Sequence, residues 1–211
     1  MSNIIKFGVE NQNNVIDILI NSFHKDPGFN FIFENKDLIK GLGKSIPMII
    51  NQQTPNKHVL IQDDKIIGYM MWIFHDQKES LLKKLKNIFH GALFVKDFDS
   101  DTVNRLQLFL QFAEDEKKRL DKDKILYIYF DIIGIDILFQ NKGYGKFLME
   151  YYHNNIKEYK GYISCLYTSS EKNRIFYEKL GYKYDKEKAK VITFKDKSVN
   201  VYWMEKSMNV K

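Results

Sequence analysis

A glycine-punctuated loop, Gln140-Asn141-Lys142-Gly143-Tyr144-Gly145-Lys146, joins two segments of different periodicity. The segment before it, residues 125–135, is rich in β-branched and aromatic residues, which is typical of a buried strand. The segment after it carries apolar residues at helical spacing, namely Phe147, Leu148, Tyr151, Tyr152, Ile156 and Tyr159. The sequence therefore predicts a strand, a tight loop and a helix N-terminus in direct succession.

Such a loop is suited to bind an anion. Two glycines let backbone N–H groups turn toward one point without interference from Cβ atoms. The first N–H groups of a helix have no partner inside the helix, and the helix dipole adds partial positive charge there. A phosphate or pyrophosphate group fits this arrangement best.

Two common phosphate-binding loops are excluded by the residues present. A Walker loop needs a glycine where Gln140 stands and Ser or Thr where Phe147 stands. A dinucleotide-binding loop needs a third glycine where Leu148 stands. The remaining pattern, Gln-x-x-Gly-x-Gly, is weak by itself.

A second motif follows a predicted strand at 161–168 and reads Asn173-Arg174-Ile175-Phe176-Tyr177-Glu178-Lys179-Leu180-Gly181-Tyr182. Its apolar residues fit the buried face of a short helix, and Gly181 fits the C-terminal stop. Strand, anion loop, helix, strand and Asn-x-x-x-Tyr-x-x-x-Gly-Tyr occur in this order over about residues 127–182. Together they resemble the Gcn5-related N-acetyltransferase (GNAT) superfamily.

The resemblance implies an α/β fold. The expected sheet is mixed and mostly antiparallel, with a splayed central pair of parallel strands and helices on both faces. We expect one GNAT-like domain over residues 1–211 with a helical elaboration at about 76–123. That elaboration is either added scaffold or a wall of the acceptor site.

Periodicity outside the two motifs predicts the remaining elements. A first strand is expected at 4–9, helices around 15–23, 38–49, 81–93 and 103–113, and hairpins at 57–74 and 191–204. The helix at 103–113 begins with Asp99-Ser100-Asp101 and ends with Lys117-Lys118-Arg119. The helix dipole favours that order of charges. Asp26-Pro27-Gly28 is expected to end the first helix.

The resemblance also implies acetyl transfer from acetyl-CoA, as a co-substrate, to the primary amine of a small molecule. No metal is expected, because the five histidines are scattered and have no cysteine pair. Other functions stay open: acetylation of a protein or peptide, a non-catalytic acyl-CoA-binding sensor, or a nucleic-acid-binding module.

By position in the family motif, the backbone of Ile133, Gly134 and Ile135 would pair with the pantetheine arm. The loop 140–146 would hold the pyrophosphate. Asn173 would contact the cofactor arm, and Tyr177 would stand near the sulfur as general acid. The alternative for Tyr177 is ordinary packing on a helix.

Asp131 is the candidate general base. It lies two residues before Ile133, so strand alternation predicts that both side chains share one face. A carboxylate in an apolar strand should have a raised pKa, which suits a base. The alternatives are a structural carboxylate paired with a helix N-terminus or a lysine, and a water chain past Tyr129 and Glu34.

The acceptor site is predicted from aromatic and acidic residues that suit a cationic amine. They are Phe29, Phe31, Phe33, Glu34, Trp72 and Tyr129. The same residues could instead belong to the core.

Composition limits the remaining functions. The 33 basic residues give a net charge of +6, but they are dispersed among 27 acids, which indicates a solvated surface rather than a nucleic-acid face. The single cysteine, Cys165, cannot form an internal disulfide, which suits a reducing compartment. No signal segment or long apolar run is seen. We therefore expect a cytoplasmic monomer or homodimer that binds neither membrane nor nucleic acid.

Overall fold

The computed structural model describes residues 2–52, 54–75, 96–185 and 190–208, and these contain one mixed sheet of eight strands. The strands are β1 (Ser2–Lys6), β2 (Lys57–Gln62), β3 (Lys65–Phe74), β4 (Tyr127–Ile135), β5 (Ile163–Thr168), β6 (Lys183–Tyr184), β7 (Lys190–Phe194) and β8 (Lys197–Ser207). Their order is β1-β2-β3-β4-β5-β8-β6, and β7 pairs with β8. Both predicted hairpins are present, as β2–β3 and β7–β8.

Five helices cover the sheet in the described residues. They are α1 (Gln12–Phe23), α2 (Pro27–Ile50), α3 (Ser100–Lys122), α4 (Tyr144–Ile156) and α5 (Glu171–Lys179). The helix expected around 81–93 lies outside the described residues. The helix expected at 103–113 is α3, and Asp99 caps it by accepting from Thr102 N at 2.7 Å. We call the side of the sheet under α1, α2 and α3 the α3 face, and the side under α4 and α5 the α4 face.

The central strands β4 and β5 run parallel and are splayed, as predicted. They pair over three residue pairs only, ending at Tyr129 opposite Cys165. Beyond that point β4 stays paired with β3 as far as Ile135, and β5 stays paired with β8 as far as Thr168. The backbones of residues 130–135 and 166–168 therefore border a gap that opens through the sheet.

A bulge in β4 reverses the alternation of its side chains. Met71 of β3 pairs with Ile132 and Trp72 pairs with Phe130, which leaves Asp131 as an extra residue. Ile132 consequently packs on the α3 face and Ile133 on the α4 face. Asp131 is on the α3 face, where Gln52 at the end of α2 reaches it. The prediction that Asp131 and Ile133 share a face is therefore wrong.

The start of α2 also differs from the sequence prediction. Asp26-Pro27 begins this helix rather than ending the previous one. The Asp26 carboxylate accepts from Gly28 N at 2.9 Å and Phe29 N at 3.1 Å, and proline is well tolerated in the first turn. Phe29, Phe31 and Phe33 therefore lie in the first turns of a helix.

A buried arginine braces a kink in α2. Glu34 has a left-handed backbone with φ 54°, which interrupts the helix. Arg105 of α3 is 3% exposed; its Nε donates to Ile32 O at 2.9 Å and its guanidinium pairs with Glu34 at 2.8 Å.

We expect Arg105→Met to lower the free energy of unfolding in urea by about 3 kcal/mol, because Glu34 and the Ile32 carbonyl lose their buried donor. Lys118→Met, on the exposed side of α3, is the control; equal losses in both would contradict the brace.

Candidate active site

The glycine loop leaves open space at the start of α4. Gly143, which precedes the helix, has φ 89°, and Asn141 two residues earlier has φ 61°. A Cβ added to Gly143 would meet no described atom within 4 Å, and one added to Gly145 would meet only Phe176 Cζ at 3.6 Å. A side chain would fill this space, whereas glycine leaves the helix N-terminus accessible. The loop therefore fits a phosphate group.

Gln140 fixes the loop to the end of β4. Its Nε2 donates to Ile135 O at 3.0 Å, and Ser22 Oγ of α1 donates to the same carbonyl at 2.7 Å. The Gln140 amide is thus directed at the strand. Gly134 lets α1 approach, since a Cβ there would lie 2.4 Å from Leu19 Cδ2.

The two sequence motifs meet at the N-terminus of α5. Lys172 Nζ donates to Asn141 Oδ1 at 3.1 Å, which links α5 to the glycine loop. Asn173 is half-buried in the first turn of α5, where Ser170 caps the helix. The first turn of α5, which contains Asn173, is therefore linked to the glycine loop.

Tyr177 lies deeper in α5 and faces the sheet. It is 6% exposed and packs edge-on against Phe176 and Tyr182. Its hydroxyl has no hydrogen-bond partner in the described part of the chain. Burial, with a smaller effect from the charge of Asp26, raises the pKa of Tyr177 above its ordinary value. The phenol therefore keeps its proton at neutral pH and can donate it.

Asp131 stands where β4 and β5 separate. Burial raises its pKa to about 6, although the positive charge of Lys117 and a 3.1 Å hydrogen bond from Gln52 Nε2 both oppose the rise. The same face carries Tyr69, whose hydroxyl is buried and has no partner among the described residues. A buried hydroxyl without a partner is costly, so this point is suited to receive a polar group of a ligand.

Aromatic rings line the α3 face beside Asp131. Tyr129 lies with its ring centroid 6.3 Å from that of Tyr167 and 6.2 Å from that of Trp203. Lys117 Nζ of α3 lies 4.4 Å from the centroid of the Tyr129 ring. Tyr129 is one of the predicted acceptor residues. It lies two residues before Asp131 in β4, and its side chain is on the same α3 face.

Other predicted acceptor residues have different surroundings. Trp72 lies on the α4 face, stacked on His58 at 4.9 Å between centroids. Glu34 is paired with Arg105 and with Lys197. Phe31 is buried in the core of the α3 face, and Phe29 is half-buried against Phe23. The expectation that Trp72 and Glu34 form an open wall for a cationic amine is therefore not supported by their positions.

Asp26 and Ser169 join α2 to the end of β5. Asp26 Oδ1 accepts from Ser169 Oγ at 3.2 Å, and Ser169 Oγ accepts from Gly28 N at 2.9 Å. This contact holds the α1–α2 turn at the splayed end of the sheet. This contact was not predicted from the sequence, and neither were the positions of Tyr69, Tyr167 and Lys117 beside Asp131. Strand alternation in β3 and β5 was the available signal for the two tyrosines.

Comparison with known proteins agrees with this class of fold. Residues 109–184 match the family model of the acetyltransferase (GNAT) domain. The matched stretch contains β4, the glycine loop and the motif at residues 173–182, so this part of the chain is similar to GNAT acetyltransferases. No curated protein sequence matches the chain.

Several solved structures share the fold along nearly the whole chain. A polyamine N-acetyltransferase of Drosophila melanogaster has a TM-score of 0.63 and 12% identity, covering 97% of this chain and 99% of its own. An arylalkylamine N-acetyltransferase of Aedes aegypti has a TM-score of 0.63 and 12% identity, covering 99% of both chains. A PaiA N-acetyltransferase of Thermoplasma acidophilum, solved with coenzyme A, has a TM-score of 0.56 and 13% identity, covering 98% and 99%.

Three other kinds of feature bear on function in the described residues: a surface cleft, groups of metal ligands and membrane-spanning helices. A surface cleft lined by Gly181, Lys183 and Lys206 lies beside the start of β5, at the opposite end of the strand from the gap. Within residues 2–52, 54–75, 96–185 and 190–208, no group of histidine, cysteine and acidic side chains could hold a metal ion. None of the helices that the structure describes has the length and apolar character needed to cross a membrane.

Proposed function

We propose that the chain transfers the acetyl group of acetyl-CoA to the primary amine of a small molecule. The observation that carries the proposal is the gap between β4 and β5. An open, glycine-started helix lies on its α4 face, and Asp131 with the unpartnered Tyr69 hydroxyl lies on its α3 face. The two substrates can approach from opposite faces.

The loop 140–146 would hold the pyrophosphate of acetyl-CoA through backbone N–H groups, with Asn173 beside it. The backbone of residues 133–135 borders the gap and would contact the pantetheine arm. The Ile135 carbonyl already accepts two hydrogen bonds. Because alternate residues of a strand direct their backbone groups to the same side, Gly134 like Asp136 faces β3, and Ile133 is the better donor and acceptor for this contact. When bound, acetyl-CoA supplies a thioester carbonyl carbon that an amine can attack.

Two proton transfers accompany the reaction. Asp131, ionised at neutral pH, takes a proton from the acceptor ammonium directly or through one water. The neutral nitrogen forms the new N–C bond as the C–S bond breaks, and the Tyr177 phenol gives its proton to the sulfur. The raised pKa suits Asp131, because the carboxylate then binds a proton more strongly. Tyr177 is protonated at neutral pH, as its role requires, although the rise in its pKa makes it a weaker acid.

A panel of acceptors with acetyl-CoA, followed by thiol release, tests this function. The panel should contain alkylamines, arylalkylamines, polyamines, aminoglycosides, amino acids and short peptides. Turnover of small amines would support the proposal, and turnover of peptides alone would favour a protein acceptor. Saturable acetyl-CoA binding without any turnover would favour the non-catalytic sensor.

A matched pair of glycine variants tests the phosphate site. Gly143 and Gly161 have φ of 89° and 86°, and a Cβ on either would meet no described atom within 4 Å. Alanine should therefore cost each a similar strain of about 1–2 kcal/mol. We expect calorimetry to show that Gly143→Ala loses acetyl-CoA binding at least about tenfold, a loss of about 1.4 kcal/mol in binding free energy, while Gly161→Ala keeps it. Equal affinities in both variants would place the phosphate elsewhere.

A further inference from the structure

We propose that Lys117 selects against acceptors that carry a second positive charge, so that the acceptor is a monoamine with an apolar or aromatic body. The inference rests on the proposed acetyl transfer and specifies its substrate class. It is carried by the position of Lys117, by the pairing of the nearby carboxylates and by the aromatic lining of the α3 face.

Lys117 places a positive charge beside the proposed base. Its Nζ lies 4.4 Å from the centroid of the Tyr129 ring, two residues before Asp131 in β4. The Lys117 side chain is 27% exposed, and it forms an ion pair at 3.4 Å with Glu114, which is 58% exposed and one helical turn away. Because this ion pair is exposed to solvent, it is weak, and Glu114 neutralises little of the positive charge of Lys117.

The other carboxylates near this face are already paired. Glu34 pairs with Arg105 and Lys197. Glu205 pairs with Arg119 and accepts from Trp203 Nε1 at 2.8 Å. A second ammonium on an acceptor would therefore find these carboxylates occupied and would meet the Lys117 charge.

Asp26 is occupied in the same way. It accepts from two backbone N–H groups of α2 and from the Ser169 hydroxyl. Asp131 receives one neutral hydrogen bond, from Gln52, and the charge of Lys117 acts on it without an ion-pair contact between the two side chains. Among these acidic groups, Asp131 retains the most capacity to bind one ammonium group.

The surface around Asp131 suits an apolar body. Tyr69, Tyr129 and Tyr167 border it, and Phe109 of α3 packs edge-on against Tyr167 at 5.6 Å between centroids. The unpartnered Tyr69 hydroxyl offers one hydrogen bond to the amine or to a polar atom next to it. One carboxylate, one hydroxyl and several rings together match an amine with a single positive charge.

The test compares n-hexylamine with 1,5-diaminopentane, which replaces the terminal methyl of hexylamine by an ammonium group. We expect the protein to prefer hexylamine by roughly 10- to 100-fold in kcat/KM, the range for like charges a few ångströms apart at a partly solvated site. Lys117→Glu should remove most of this preference. Lys118→Glu makes the same charge change at the adjacent exposed position and should leave the ratio unchanged.

The ratio of the two amines is the readout, because any change in Asp131 caused by Lys117→Glu affects both amines alike. Equal use of both amines, preference for the diamine, or equal ratios in the two lysine variants would overturn the inference. Calorimetry of both amines with CoA-loaded protein separates it from the proposed function. A binding preference that Lys117→Glu abolishes, without turnover, would refute acetylation and support the charge selection; absence of any such preference would refute the charge selection.

Discussion

Tyr177→Phe is expected to lower turnover by roughly 10²–10⁴-fold, the usual contribution of a general acid, and to leave acetyl-CoA affinity nearly unchanged. The ring packs against Phe176 and Tyr182 and would keep those contacts without the hydroxyl. Because that hydroxyl has no partner in the described part of the chain, its removal should cost little stability. The loss should therefore fall on kcat, measured by thiol release at saturating acetyl-CoA, and hardly on the melting temperature.

Tyr182→Phe is the matched control. Tyr182 lies 5.8 Å from Tyr177 between ring centroids and is also buried, but its hydroxyl is 2.7 Å from Ser164 Oγ. Its removal should lower stability by about 1 kcal/mol and leave kcat nearly intact. If Tyr177→Phe kept full turnover, or if Tyr182→Phe lost as much of it, Tyr177 would be a packing residue and solvent would protonate the thiolate.

The order of elements was predictable because its signals are local, whereas the splayed pair was expected only from the resemblance to GNAT acetyltransferases. Glycines before a helix, and alternating or helical spacing of apolar residues, report the backbone of the segment that contains them. The same locality explains why α3 was predicted from Asp99 and the charges at its ends. The glycine loop was placed correctly between its strand and helix for this reason.

The misplaced side chains depend on contacts that are distant in sequence. The face of Asp131 is set by a bulge, which is a property of the pairing between β3 and β4 rather than of β4 alone. Glu34 pairs with Arg105 and Lys197, which are far along the chain, so the local sequence did not predict these ion pairs. Asp26-Pro27 can end one helix or begin the next, and only the hydrogen bonds of Asp26 distinguish the two.

The bulge in β4 places Asp131 on the side of the gap where a general base is needed. Alternation had placed Asp131 on the face of Ile133, beside the proposed cofactor arm. Its actual position is on the opposite face, where the acceptor amine would approach. A base is needed on the acceptor's side of the gap, so the observed position suits the proposed role better than the predicted one.

Asp131→Asn is expected to lower kcat/KM at neutral pH by roughly 10²–10⁴-fold while acetyl-CoA binding survives. In the unaltered protein the rate should rise with pH through about 6, where the carboxylate ionises. The variant should lack this step. Its deficit should shrink at higher pH, because more of the acceptor amine is then already neutral. The measurement is kcat/KM for one amine from pH 5 to 10 in both proteins.

The same substitution has an opposite expected effect on stability. The pKa of Asp131 rises from its ordinary value of 3.8 to about 6 on folding, because burial disfavours the charged form. Its favourable contribution is therefore fully present below pH 3.8 and is lost as the pH rises through about 6. Asparagine is uncharged and carries no such penalty. Asp131→Asn should therefore raise the free energy of unfolding by about 1–3 kcal/mol at pH 7, and this difference should vanish near pH 4.

This combination separates a base from a structural carboxylate. Loss of turnover together with a higher melting temperature at pH 7 would identify Asp131 as a catalytic carboxylate that destabilises the fold. A structural partner of Lys117 or Gln52 would instead give a lower melting temperature, weaker acetyl-CoA binding and no recovery at high pH. An unchanged pH profile in Asp131→Asn would indicate that a water chain past Tyr129 accepts the proton and that Asp131 has no catalytic role.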